Sequence, residues 1–275
     1  MIGTLNIIHY RTATFLLLIA YCQAQANISR GAYESGNSSS LSRNGTKNHS
    51  GLTVTKEELK FNCKNTLCNV TAVYFIQSQS ILTEKLKFIA PLRGSKPLIS
   101  ISGRHIPIDK TEQLILNIQS QEKDHFQYQH RYENRYAFTA KFQSGLNVLK
   151  VNYRQPMSMY TASSFGVYPF LSRKYNHYFA YYLYPLKSWQ LSPDFQLSIQ
   201  VSAEMPRHRV KLKCKTLTPA KESCSGSISD KTYCASWIKA DSYKAKKRKI
   251  YAHYIFNRKF PNSIECHIGR RIKMK

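Results

Sequence analysis

Five basic side chains crowd the six positions Lys244-Ala245-Lys246-Lys247-Arg248-Lys249. A second run, Arg207, Arg209, Lys211, Lys213 and Lys215, places a cation at every other position. Alternate residues of an extended strand point to the same face, so this spacing makes a basic stripe. Such a field attracts phosphates, acidic or sulfated glycans and anionic lipid headgroups. The candidate anion-binding residues are therefore Arg207, Arg209, Lys211, Lys213, Lys244, Lys246, Lys247, Arg248 and Lys249. The expected partner is an anionic polymer or lipid headgroup, such as lipopolysaccharide or an acidic glycan. Nucleic acid would satisfy the same field, but no recognition motif accompanies the charge. A solvated basic face that only keeps the protein soluble is the plainer alternative.

Other residue groups suggest chemistry less well. Ser236-Trp237-Ile238-Lys239 matches the S-x-x-K pattern of serine acylases, yet it lacks the companion motifs and a helical setting. There is no H-E-x-x-H, no G-x-S-x-G, no phosphate loop and no G-x-G-x-x-G. His125 and His130, with Asp124 and Glu133 nearby, have the donor types of a metal or acid–base site. Their Gln- and Tyr-rich surroundings read as a polar loop. His105 and His177 read as packed or surface side chains. The densest aromatic group is Tyr175, Tyr178, Tyr181, Tyr182, Tyr184 and Trp189, either a stacking platform or a strand with one face in the core. Period-two alternation sends Phe179, Tyr181 and Leu183 to the core face, with Trp189 capping the core after the Pro185 turn. No catalytic residue, metal site or cofactor is assigned.

The cysteines need a compartment. Residues 1–26 read as a signal peptide: Arg11, the apolar run Phe15–Ala20 and the small-x-small site Ala24-Gln25-Ala26. Its apolar stretch is too short to span a bilayer, and no later segment is longer. Cys22 leaves with the signal, so six cysteines remain in an exported, periplasmic or extracellular chain, where disulfides persist. Cys63 and Cys68 flank a short loop between two strand-like runs, which places them opposite one another. Cys214, Cys224, Cys234 and Cys266 pair among themselves. Local hairpin logic favours Cys224–Cys234 with Cys214–Cys266, the other two arrangements staying open. No C-x-x-C spacing supports a metal.

The elements that must carry these residues are strands. The chain has 275 residues, 41 Lys+Arg against 15 Asp+Glu, 19 tyrosines and only two tryptophans. Its 42% apolar content excludes a wholly disordered chain. Residues 27–50 are polar and read as a disordered linker holding four of five Asn-x-Ser/Thr triplets. From Leu52 onward, short alternating runs follow: 52–61, 69–76, 81–89, 98–101, 136–142, 146–153, 178–184 and 195–201. Gln143-Ser144-Gly145 reads as a hairpin turn, and Leu114–Ile118 is ambiguous. No segment shows sustained helical periodicity. The expected fold is all-β: an antiparallel β-sandwich over 51–205 with a basic, cysteine-rich C-terminal extension over 206–275. That extension carries 19 Lys+Arg against 4 Asp+Glu. It is either a small stapled domain, the favoured reading, or the last strands of the sandwich.

Several of these runs together resemble a known class. Val54-Thr55-Lys56-Glu57-Glu58-Leu59-Lys60-Phe61 precedes Val70-Thr71-Ala72-Val73-Tyr74-Phe75 and Leu86-Lys87-Phe88-Ile89-Ala90-Pro91. Later comes Phe179-Ala180-Tyr181-Tyr182-Leu183-Tyr184-Pro185-Leu186-Lys187-Ser188-Trp189. Over about residues 52–202 the chain is similar to exported bacterial proteins of a domain-of-unknown-function class. It departs from their pattern at Phe88-Ile89-Ala90-Pro91, where that pattern has proline directly after Phe, and in its basic C-terminal end. The resemblance implies a Gram-negative exported β protein and brings no activity with it.

The functional expectation is a non-enzymatic exported module that docks by its basic end on an anionic envelope or extracellular polymer. The alternatives are an envelope hydrolase using loop carboxylates and a structural subunit pairing through strand edges.

Overall fold

In the computed structural model, the residues described are 27–30, 51–91, 94–118, 129–162, 174–183, 186, 189–205, 210–219, 233–257, 259–261 and 263–269. The expected signal peptide, most of the linker, Asp124, His125, Tyr184, Arg207, Arg209 and Cys224 lie outside them, as do the side chains of His130, Glu133 and Cys234. Among the described residues the regular elements are seventeen strands, and the all-β expectation holds.

The largest sheet has eight strands. Its order is β15 (Ser242–Lys246), β16 (Lys249–Phe256), β12 (Gln190–Glu204), β2 (Leu52–Lys64), β3 (Leu67–Ser78), β9 (Gly145–Pro156), β5 (Leu98–Ile101) and β6 (Arg104–Ile106). A four-stranded sheet runs β1 (Asn27–Arg30), β4 (Leu82–Pro91), β8 (Gln129–Phe142), β7 (Lys110–Ile118). A five-stranded sheet runs β10 (Ser158–Ala162), β11 (Lys174–Tyr182), β17 (Ser263–Gly269), β13 (Lys211–Pro219), β14 (Tyr233–Ile238). Only β2 and β12 pair in parallel; every other described pairing is antiparallel.

Alternation makes one apolar face on each sheet. In β3, Val70, Ala72, Tyr74 and Ile76 are buried while the residues between them are not. Each large apolar side chain so buried contributes roughly 1.5–3 kcal/mol. Phe88 of β4 packs on Tyr153 of β9, and Phe61 of β2 stacks on Phe179 of β11 at 4.6 Å between centroids. All three sheets thus meet in a single apolar cluster. Phe179, Tyr181, Leu183 and Trp189 belong to that core, as period two requires, although Tyr178 and Ala180 on the strand's other face are buried as well.

Strand β2 changes phase partway. Leu52 and Val54 face inward, then Glu57, Leu59, Phe61 and Cys63 do. The pairing with β3 slips between Val54 and Lys56, leaving Thr55 as an extra residue whose hydroxyl donates to Phe75 O at 3.2 Å. This β-bulge switches which face each side chain takes. It turns Glu57 inward.

Three local expectations change. The β2–β3 loop is only Asn65-Thr66, shorter than the four residues between the cysteines, with Asn65 at φ 55°. Asparagine tolerates that left-handed backbone better than other side chains with a Cβ. Residues 143–145 do not close a hairpin, because β8 and β9 lie in different sheets. They form a corner plugged by buried Asn147, whose Oδ1 accepts from Gln143 N and whose Nδ2 donates to Gln143 O and Gly145 O. Asn27–Arg30, read as linker, pairs with Leu86–Ile89. Strands from 206–275 belong to both larger sheets: β13, β14 and β17 to the five-stranded one, β15 and β16 to the eight-stranded one.

Candidate anion-binding site

Strand β13 sorts its side chains by alternation. Leu212 and Cys214 are buried, whereas Lys211, Lys213 and Lys215 share the opposite face, as the sequence spacing requires. Cys214 stands directly across from Cys266 of β17, and the two are bonded, with Cα atoms 4.0 Å apart. Cys63–Cys68 is likewise bonded across β2 and β3. Both bonds match the sequence expectation. The Cys224–Cys234 pairing falls outside the described residues.

On the other side of β13, Trp237 of β14 pairs with Lys215. Trp237 reaches over β13 to meet His267 of β17 edge-on, with centroids 5.5 Å apart. Beside it opens a groove of about 550 Å³ lined by Lys211, Lys213, Trp237, Lys239, Tyr243 and Tyr254, among others, with no carboxylate among the described residues of its lining. That volume is typical of small-ligand sites, which run from about 300 to 1,000 Å³. Burial, with Tyr243 adding, pushes the Tyr254 hydroxyl up to about 12, so it stays a neutral hydrogen-bonding group.

Lys215 is occupied. Its Nζ lies 2.9 Å from Glu265 Oε1, the same oxygen that His267 Nε2 contacts. Burial alone would raise the Glu265 carboxyl, but the His267 hydrogen bond and the Lys215 charge outweigh it and hold it below the ordinary value. His267 is stacked on its other side by Tyr178, at 5.7 Å and 23°.

The predicted cations therefore divide. Lys211 and Lys213 line the groove, and Lys215 is neutralised by Glu265. Lys244, Lys246, Lys247, Arg248 and Lys249 are all exposed on the β15–β16 hairpin, where Lys246 pairs with Lys249 and Lys247 takes φ 51° in the turn. β15 is a sheet edge, where lysines also discourage pairing with other chains. The same two strands supply Tyr243 and Tyr254 to the groove. Ser236 of the S-x-x-K match lies on strand β14 and not at a helix start. His105 is exposed on β6, and His177 is part-buried on β11 with its pKa lowered by desolvation. Among the described residues, no group of three or more His, Cys, Asp or Glu could hold a metal.

Sequence reasoning missed Trp237, Lys239, Tyr243, Glu265 and His267 as one neighbourhood. Only the presence of a lone Trp between serine and lysines in a polar stretch hinted at it. It also missed Glu57, wholly buried in the core. Burial pushes this carboxyl up to about 8, hydrogen bonds from Tyr181 and Tyr74 offsetting only part of the shift.

No protein-family model matches the chain, and no curated protein is significantly similar to it in sequence. Several solved structures are similar. A candidate nutrient-binding protein from Legionella pneumophila aligns at TM-score 0.49 and 9% identity over 89% of this chain and 70% of its own. The M1 zinc metallopeptidase of Deinococcus radiodurans aligns at TM-score 0.36 and 9% identity over 80% of this chain. Yeast LTA4 hydrolase aligns at TM-score 0.37 and 11% identity over 81% of this chain. This chain spans 42% and 29% of those two enzymes.

Proposed function

We propose that this protein is an exported, non-enzymatic binding module that docks on an anionic envelope or extracellular polymer through the basic surface built by β13–β16. The observation that carries the reading is the groove that Lys211, Lys213 and Lys239 line together with Trp237 and Tyr243, with no carboxylate among its described lining residues. The exposed hairpin cations extend the same positive field beyond it. Two disulfides, and no described helix long and apolar enough to cross a membrane, are compatible with export through a signal peptide at 1–26. In the same reading, the eight-stranded sheet is one layer of a β-sandwich and the other two sheets form the second, a layout favoured by the Phe61–Phe179 and Phe88–Tyr153 contacts.

The test is affinity for immobilised heparin and for lipopolysaccharide across a salt series. Each anionic contact releases counterions, so log affinity should fall linearly with log salt. Replacing Lys246, Lys247, Arg248 and Lys249 together with Ala should weaken binding and flatten the slope, while circular dichroism stays unchanged. Unchanged affinity and slope in a folded variant would reduce the hairpin to a solvated face.

A further inference from the structure

We infer that the groove is a subsite for an acidic sugar residue, whose ring lies on Trp237 while its carboxylate is held by Lys211, Lys213 and Lys239. This deepens the docking reading and rests on it. Lysine alone does not choose a scaffold, because an ammonium is a compact, strongly hydrated point charge with no demand on the shape of the anion it meets. An aromatic surface beside the lysines does choose. Its electron-rich face receives the C–H face of a sugar ring, which a bare phosphate chain does not offer.

The ring surface is built in advance. Trp237 is held at its backbone by pairing with Lys215 and at its indole by the edge contact with His267. His267 is fixed in turn by the Glu265 carboxylate and by stacking on Tyr178. Glu265 is anchored from a third strand by Lys215. Four strands of one sheet, β11, β17, β13 and β14, thus set the orientation of one indole. Fixing a binding surface beforehand lowers the ordering cost of association. Lys211 and Lys213, two residues apart on β13, are separated by roughly 6.6 Å along the strand. Both lysines line the groove with Trp237, while Tyr243, 47% exposed, borders it from β15. A repeating acidic saccharide supplies the ring and the anion together.

The experiment titrates the purified, oxidised protein with hexagalacturonate, with inorganic polyphosphate of the same charge and with a neutral hexasaccharide, measuring affinity by isothermal titration calorimetry and following tryptophan emission alongside. The only other tryptophan, Trp189, is 5% exposed in the core, so a ligand-induced change reports Trp237. Hexagalacturonate should bind at least tenfold more tightly than either control. Trp237→Ala should cost about tenfold for hexagalacturonate and less than twofold for polyphosphate, while Lys211→Ala with Lys213→Ala should weaken both. Trp237→Phe, which keeps a ring, should retain binding but lose the emission change; Trp237→Leu, apolar without a ring, should lose affinity as the alanine variant does and stands in if that one misfolds. Equal binding of polyphosphate, or an unaffected Trp237→Ala, would overturn the sugar subsite and leave polymer docking standing. If neither anion binds at low salt, both readings fail.

Discussion

Tyr181 of β11 donates its hydroxyl to Glu57 Oε1 of β2 at 3.2 Å, joining two sheets through residues 124 positions apart. The hydroxyl of Tyr74 lies 3.1 Å from that of Tyr181. A carboxyl is thereby enclosed among aromatic side chains in the centre of an apolar core. Its protonation state and the stability of the fold are linked.

Stability should fall as pH rises, and Glu57 should be the cause. With its folded pKa raised to about 8 from an ordinary 4.5, the native state holds a proton that the unfolded chain releases. The contribution is complete below about 4.5, declines by about 1.4 kcal/mol per pH unit, and is gone above about 8. Denaturant unfolding of wild type and Glu57→Gln between pH 4 and 9 measures the difference. The variant should lack this slope and be the more stable protein at pH 8; parallel curves would show that Glu57 does not govern it.

Glu265 should act in the opposite direction. Its folded pKa is depressed, so its contribution is present above the ordinary carboxyl value and is lost as pH falls through the folded value. Glu265→Gln should cost about 1–3 kcal/mol at pH 7, and the gap from wild type should narrow as pH falls below 4.5. A gap that persists in acid would mean that packing, not charge, is what the substitution removes.

The two disulfides should differ in weight. Cys214–Cys266 spans 52 residues and Cys63–Cys68 spans five. Loop-closure entropy assigns them roughly 4 and 2 kcal/mol respectively. Paired Cys→Ala variants, unfolded in denaturant, should follow that order. The reverse order would locate the benefit in native packing.

Asn147→Ala should cost about 1–2 kcal/mol, because it unpairs the Gln143 and Gly145 backbone groups at a part-buried corner. Asn147→Asp should be at least as harmful, since a carboxylate cannot donate to the two carbonyls. If calorimetry finds the aspartate variant as stable as wild type, the corner does not depend on these bonds.

Much of the fold is legible as alternation. Phe179, Tyr181 and Leu183 separate from their neighbours by period two alone, and the same rule puts Lys211, Lys213 and Lys215 on one face. Cys63 and Cys68 find each other through a turn short enough to see in sequence. Glu57 is not legible, because its inward aspect depends on one extra residue, Thr55, and a bulge leaves no compositional mark. Gln143-Ser144-Gly145 looks like a hairpin turn, since the local chemistry of a turn does not say whether its flanking strands pair or part into different sheets. The groove is hidden for a related reason. Trp237, Lys213 and His267 become neighbours only through the order β14-β13-β17, which is long-range pairing.

The parallel pairing of β2 with β12 also sets a timetable for the molecule's assembly. Leu59 of β2 has Ile199 as its neighbour, and Ile199 in turn has Tyr254 on its far side. One of the first long strands to leave the ribosome therefore waits for residues near 200 before its second edge is covered, and β12 waits for residues near 254. The growing chain passes that interval with its central strands open, a state in which holdase chaperones find hydrophobic surface to bind. Once released, it must close its largest loops before its core rewards them, which places it among the slow-folding β topologies.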